Sequence, residues 1–364
     1  MFLLLHLLIL SQVCCVLMSK LLLFLIESSV CTSAPPRPRR YIAFGDWGHP
    51  TNIPGITVIN EYLRSNMDYI DGVFLLGDNF YPDGIDPSLG VNDPKFDLFS
   101  KNLANGIPPG PLNFFPVLGN HDYMRGGQHA EIEYSKTDPR WIMPDNDFFV
   151  KFPLDDDDED FGACVWFIDS VMFTDKNVRG LTKSIQEEYH NCVWKLVVSH
   201  YPAVTAGLYI NDETVGEFYA KISCVLCRFE IDFMLSGHEH SSQVLHDPRI
   251  GGTTFLIAGA ATHTYTGSLH RPTTTGSRAS LHRSLEAALE WGDDVTTGVV
   301  LKLDFTKEWF KFEFVQLHAD GTQKILFSDE LAKETSERSS FEDLATRVER
   351  MCLEKCAART QHNL

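Results

Sequence analysis

The sequence predicts an α/β fold built as one domain, and three observations predict it. Apolar runs of four or five residues recur from Tyr41-Ile42-Ala43-Phe44 to Thr254–Ala258, too short for helices and continuous enough to be buried strands. Between several of them lie segments with apolar residues at helical spacing, an alternating strand and helix order. Run after run ends on a short cluster of Gly, Asp, Asn or His, at the carboxyl end of the strand, where open α/β sheets carry their sites.

The chain has 364 residues, 44% of them hydrophobic, enough for one large core or two smaller ones. No internal repeat and no second core is visible, so residues 41–364 read as one domain. A net charge of -18 argues against nucleic acid as a partner, which calls for a basic surface. The same charge repels phosphorylated substrates unless cations sit at the site, a first pointer to bound metal.

Phe2 to Ile26 is nearly all apolar, broken by His6, Ser11, Gln12, Ser19 and Lys20. Read from Met18, Ser19-Lys20 is a short basic region, Leu21 to Ile26 an apolar core, and Cys31 and Ser33 suit cleavage before Ala34. Residues 1–33 are therefore expected to be a secretory signal, or an uncleaved signal anchor, since the run is long enough to span a bilayer. The expected location is the secretory pathway, with a secreted or lysosomal/vacuolar product, membrane-anchored only if the segment is retained. Residues 34–40, Pro- and Arg-rich, read as a stiff linker. Cys164, Cys192, Cys224, Cys227, Cys352 and Cys356 follow the leader, an even set that suggests disulfides of unspecified connectivity. Cys224 and Cys227 have zinc or redox spacing but no nearby second pair, so a structural role is expected. No Asn-x-Ser/Thr sequon occurs.

Taken in order, Tyr41–Phe44 is a strand, and Ile56, Ile59, Leu63 and Met67 mark one face of a helix with Pro54 in its first turn. Val73–Leu76 and Phe114–Leu118 are the next strands, separated by a loop-rich stretch with a short helix around Phe96–Leu103. Trp141–Phe152 is extended, and the acidic run Asp155–Asp160 reads as a solvated loop. Strands at Val165–Asp169, Lys195–Val198, Ile231–Leu235 and Thr254–Ala258 alternate with helices expected at Lys183–Cys192 and Phe218–Phe229. Gly298–Asp304 and Trp309–Leu317 form a hairpin whose second strand is expected on a sheet edge. Ser339 and Glu342 have capping-box spacing and open a last helix. His270–Gly276 is a loop without evident chemistry.

Five polar clusters follow strands: Asp46; Asp78 with Tyr81; Asn120-His121-Asp122; His200; His238 with His240. Each alone is ordinary, since a Gly-Asp pair is usually a turn and a lone histidine usually a satisfied polar group. Their recurrence at one structural position is not. Two Asp, three His, one Asn and one Tyr are too many for a single tetrahedral zinc and suit two ions sharing a bridging carboxylate. Phenolate and carboxylate favour a hard Fe(III), whereas the nitrogen-rich, amide-bearing side suits Fe(II), Zn or Mn. His238 and His240, at i and i+2 of an extended segment, point the same way.

These residues carry a resemblance. Gly45-Asp46-Trp47-Gly48, Gly77-Asp78-Asn79-Phe80-Tyr81, Gly119-Asn120-His121-Asp122, Ser199-His200-Tyr201-Pro202 and Gly237-His238-Glu239-His240 resemble the motifs of the calcineurin-like metallophosphoesterases, and more narrowly of the small, tartrate-resistant-type purple acid phosphatases. Related phosphatases place a histidine where Gly48 stands, and Tyr81 supplies the replacement ligand. The resemblance implies a four-layer α/β/β/α sandwich with metals at the sheet edges. It assigns Asp46, Asp78, Tyr81 and His240 to Fe(III), and Asp78, Asn120, His200 and His238 to the divalent ion. The implied function is an acid phosphatase that hydrolyses phosphate monoesters with metal-activated hydroxide, acting as a monomer. His121 is the candidate general acid, and Asp122 is expected to orient His121 or a ligand. One departure stands out: the further histidine these phosphatases carry after His-Tyr-Pro is missing from Ala203 to Glu217. The alternative is a non-catalytic scaffold similar to the glideosome-associated membrane anchors, which share the fold.

Overall fold

The computed structural model describes residues 37–155, 158–247, 250–270 and 288–333. The expected helix from Ser339, and residues 271–276, lie outside them. In chain order, β1 (Arg39–Phe44) leads through α1 (Ile53–Asn66) to β2 (Gly72–Leu75) and, after short helical turns, to β3 (Phe114–Pro116). Two short helices, α2 (Asn120–Tyr123) and α3 (Gln128–Tyr134), precede β4 (Phe148–Asp155) and β5 (Asp158–Phe167). Then come α4 (Asp175–Glu188), β6 (Cys192–Val198), α5 (Glu213–Arg228), β7 (Phe233–Ser236), β8 (Ser242–His246) and β9 (Thr254–Ala258). β10 (Ala288–Asp293), β11 (Val299–Phe305), β12 (Trp309–Leu317) and β13 (Gln323–Ala332) complete the described chain.

The strands form two mixed sheets, one ordered β13-β12-β11-β1-β2-β3 and the other β10-β8-β9-β7-β6-β5-β4. Alternation along each strand explains the layering. Tyr41, Ala43, Phe74 and Leu76 face Val165, Phe167, Leu196, Val198, Phe233 and Leu256 in a core between the sheets. Ile42, Phe44, Val73 and Leu75 turn the other way, onto Ile56, Ile59 and Leu63 of α1. Trp166 and Val197 pack beneath Leu181 and Ile185 of α4 and Phe218 and Ile222 of α5. Helix, sheet, sheet and helix are thus stacked in four layers, and strands buried on both faces need the continuous apolar runs seen in the sequence.

Several boundaries differ from expectation, each for a local reason. β1 starts at Arg39, so the last two linker arginines are strand residues: Arg40 pairs with Asp304 at 2.6 Å and Arg39 with Asp71 at 3.2 Å. α4 begins at Asp175 and ends before Cys192, because Thr174 and Asn177 cap its first turn and Cys192 opens β6. α5 begins at Glu213, where the Asp212 carboxylate accepts from the Thr214 and Val215 amides. β12 is not an edge strand, since β13 pairs along its whole length. β13 is missed in the sequence because its side chains are largely exposed and polar. Asp155 and Asp158 of the acidic run belong to the β4–β5 hairpin. A disulfide links Cys164 to Cys192, and Cys224 and Cys227 are disulfide-bonded as well, in line with a structural role.

Phe74 sits at the centre of the inter-sheet layer, its ring 5.1 Å from Tyr41 and 5.3 Å from Phe167. Phe74→Ala is expected to cost about 3–5 kcal/mol, measured by denaturant unfolding of the metal-free protein; a loss below 1 kcal/mol would contradict this packing.

Candidate metal centre

The parallel strands β1, β2 and β3 of one sheet and β6, β7 and β9 of the other bring their carboxyl ends together. The loops there carry all five polar clusters. Backbone bonds fix the loops, Gly45 N–H to Ala258 O at 2.8 Å between the two sheets and Gly237 N–H to His200 O at 3.1 Å within one. Asp46, Asp78 and His238 adopt left-handed backbone, with φ of 58°, 53° and 66°. Such conformations cost about 1–3 kcal/mol each and persist where function requires them.

Several potential donor atoms from these clusters lie close together. The Tyr81 hydroxyl lies 2.7 Å from Asp78 Oδ2, 3.1 Å from Asp46 Oδ1 and 3.2 Å from His240 Nε2. One hydroxyl proton serves one of these acceptors. His200 donates Nδ1–H to Leu76 O at 2.8 Å, so its Nε2 lone pair faces inward, 3.0 Å from Asn120 Oδ1 and 3.4 Å from Asp78 Oδ1. His238 N–H donates to Asp46 Oδ2 at 2.9 Å, and its ring centre is 5.0 Å from that of His200. Donor atoms of Asp46, Asp78 and His200, all buried, lie within 4.8 Å of one another. Lone pairs crowded together in a buried pocket fit cations at their centre, since uncompensated buried charge is costly. Side-chain atoms of Asp46, Asp78, Tyr81, Asn120, His200 and His240 thus form one connected set of contacts, and the His238 ring stands beside His200.

The electrostatics point the same way. Burial and the carboxylates of Asp46 and Asp78 push the Tyr81 phenol well above its ordinary range, so a cation is needed to make it a phenolate. Burial and His200 hold His238 well below the usual imidazole range, leaving it neutral and able to ligate. Gly48 is closed to any side chain: a Cβ there would meet Asn79 O at 1.7 Å.

His121 stands at the mouth of the cluster. Its Nδ1 bonds Pro82 O, its Nε2 is 3.9 Å from Asp78 Oδ2, and its side chain is 27% exposed. Asp122 does not orient it. The Asp122 carboxylate is fully buried and accepts from the amides of Gly119, Asn79 and Phe80 at 2.8, 3.2 and 3.0 Å. It holds the backbones that carry Asp78, Tyr81 and Asn120, because the helical turn of α2 directs it inward and His121 outward.

A family model described as calcineurin-like phosphoesterase matches residues 39–242. The chain belongs to that family. Purple acid phosphatase 7 of Arabidopsis thaliana is 28% identical over 249 residues, 62% of this chain and 71% of that protein. Tartrate-resistant acid phosphatase type 5 of Oryctolagus cuniculus is 23% identical across 81% of this chain and 91% of that one. Among solved structures, GAP50, the anchor in the inner membrane complex of Plasmodium, superposes with a TM-score of 0.65 at 18% identity, over 87% of this chain and 95% of that one. A purple acid phosphatase from yellow lupin gives 0.58 at 13% identity, over 85% of this chain and 55% of that one. Among the described residues of this phosphoesterase, no helix is long and apolar enough to cross a membrane.

Four residues of the phosphoesterase site escape sequence reasoning. Glu131, fully buried on α3, shares the Asn79 amide with Asp122: Asn79 Nδ2 donates to Glu131 Oε2 at 3.1 Å and to Asp122 Oδ2 at 3.3 Å. Tyr209 and Tyr265 stack on His238 and His240, and His263 lies edge-on to His240. No motif marks these residues. Only the fold brings them in.

Burial and the Asp78 charge push Asp122 up to about 7, and burial with the Asp122 charge pushes Glu131 well up. A raised folded pKa favours folding below the unfolded value of about 4 and loses that contribution as pH rises through the folded one. The metal-free protein should therefore melt at progressively lower temperature between about pH 4 and 7. Glu131→Gln should flatten that slope, and an unchanged slope would exclude the pair as its source.

Proposed function

We propose that this phosphoesterase is an acid phosphatase that hydrolyses phosphate monoesters at a dinuclear Fe(III)–M(II) centre, with M being Fe(II), Zn or Mn. The observation that carries the proposal is the meeting of the Tyr81 hydroxyl with Asp46, Asp78 and His240, a donor set suited to a hard trivalent ion. Asp46, Asp78, Tyr81 and His240 would hold that ion, and Asp78, Asn120, His200 and His238 would hold the divalent one. Ions held there would supply positive charge beside the phosphate oxygens and lower the pKa of water.

The chain's own residues do the rest. Asp122 and Asn79 fix the loops so that the ligand atoms need little reorganisation. His121 keeps one ring nitrogen on Pro82 O and, protonated at Nε2, donates to the departing alkoxide. Trp47 and Phe80, both fully buried with ring centres 6.1 Å apart, pack beside Gly48 and Asn79 and help to fix the loops that carry Asp46 and Asp78. We take the enzyme to act as a monomer in the secretory pathway, where an acidic compartment matches its acid pH optimum.

Purified metal-loaded protein should be purple or pink and should hydrolyse p-nitrophenyl phosphate best at acid pH. Tyr81→Phe should abolish the colour and leave the circular dichroism unchanged; persisting colour would refute the tyrosinate ligand. Colourless protein without metal or turnover would favour the scaffold reading instead. His121→Ala should lower kcat on an alkyl phosphate about 100-fold or more, and much less on p-nitrophenyl phosphate, whose leaving group needs no proton. Equal losses on both substrates would remove His121 as the acid.

A further inference from the structure

Glu239 lies between two metal-centre histidines yet points away from them. It is fully buried, and its carboxylate accepts from Thr205 Oγ1 at 2.7 Å and from the Leu208 and Tyr209 amides at 2.9 Å each. Gly207 makes that approach possible, since a Cβ there would stand 2.2 Å from Glu239 Oε2. The loop so gripped lies in the Ala203–Glu217 segment that lacks the additional histidine. It lays the Tyr209 ring on His238, with centroids 4.1 Å apart and planes at 27°.

The second histidine is covered in the same manner. Tyr265 stacks on His240 at 4.3 Å and 10°, and its amide donates to His240 O at 3.2 Å. Burial pushes both phenols up, that of Tyr209 further because of the nearby Tyr265. His270 N–H to Ala206 O, at 2.7 Å, ties the Tyr265 loop to the Tyr209 loop. These contacts close a circuit that starts at Glu239 and returns to its two neighbours.

His240 shows why the circuit matters. A metal-binding imidazole is normally held by a hydrogen bond from its other nitrogen, as His200 is by Leu76 O. Nδ1 of His240 is buried with no hydrogen-bond partner among the described residues. Its ring plane is therefore set by stacking.

We propose that Glu239, Tyr209 and Tyr265 are positioning residues that clamp His238 and His240 in their coordinating orientation. This rests on the metal-centre reading above. Stacking takes the place of the usual hydrogen bond for His240, and the Tyr209 loop contributes rigidity to the metal site.

The test is metal release. Wild-type and variant full-length proteins are loaded, their metal content measured, and the rate of loss to a chelator followed at fixed pH, with melting of the metal-free forms alongside. Tyr265→Ala and Tyr209→Ala should release metal about 10- to 100-fold faster. Tyr265→Phe, which keeps the stacked ring, should restore most of the retention. Gly207→Ala, which touches no ligand, should also speed release by displacing Glu239, and serves if an alanine variant fails to fold. Release unchanged in these variants of a metal-loaded protein, or release that only tracks lower metal-free melting temperatures, overturns the clamp. Wild-type protein that takes up no metal overturns the metal-centre reading, and the clamp with it.

Discussion

The site depends on one constraint: its donor atoms come from two different sheets that must meet edge to edge. Asp46, Asp78, Tyr81 and Asn120 follow strands of one sheet, whereas His200, His238 and His240 follow strands of the other. His200 Nδ1–H on Leu76 O, and His238 N–H on Asp46 Oδ2, cross the seam between them. A buried cluster of carboxylates and imidazole lone pairs is unfavourable by itself. The aromatic inter-sheet core, with Phe74, Phe167, Phe233 and Phe312 at its centre, holds the two edges in register against that cost.

Around the cluster, buried polar residues set backbone positions rather than touch the reacting atoms. Asp122 gathers three amides from two loops, and Glu239 gathers two from a third. Both are carboxylates next in sequence, or nearly so, to ligand residues, and both point away from the cluster. The strained backbone at Asp46, Asp78 and His238 is tolerable because these bonds over-determine the loops. Rigidity of this kind is what a metal site needs, since misplaced donors lose affinity quickly.

Membership of the calcineurin-like phosphoesterase family and homology to purple acid phosphatases account for the shared motifs. Two local features stand within that frame. The close approach of Asn79 O leaves Gly48 no room for a side chain, and the Tyr81 hydroxyl reaches Asp46 and Asp78. On the opposite flank, Tyr209 and Tyr265 stack on His238 and His240.

The sequence by itself determined the α/β class and the strands that end in polar clusters, because each signal is local: an apolar run, a glycine, a polar residue straight after it. Tertiary structure decided what depends on distance in space. The direction of Asp122 follows from a single helical turn, β13 from pairing with β12, and the grouping of Glu131 with Asp122 from α3 packing beneath the loops. Tyr209 and Tyr265 lie 56 positions apart and carry no motif. Only the packing of two loops over His238 and His240 makes them part of the site, because stacking is a property of ring planes in contact and leaves no periodic trace in the chain.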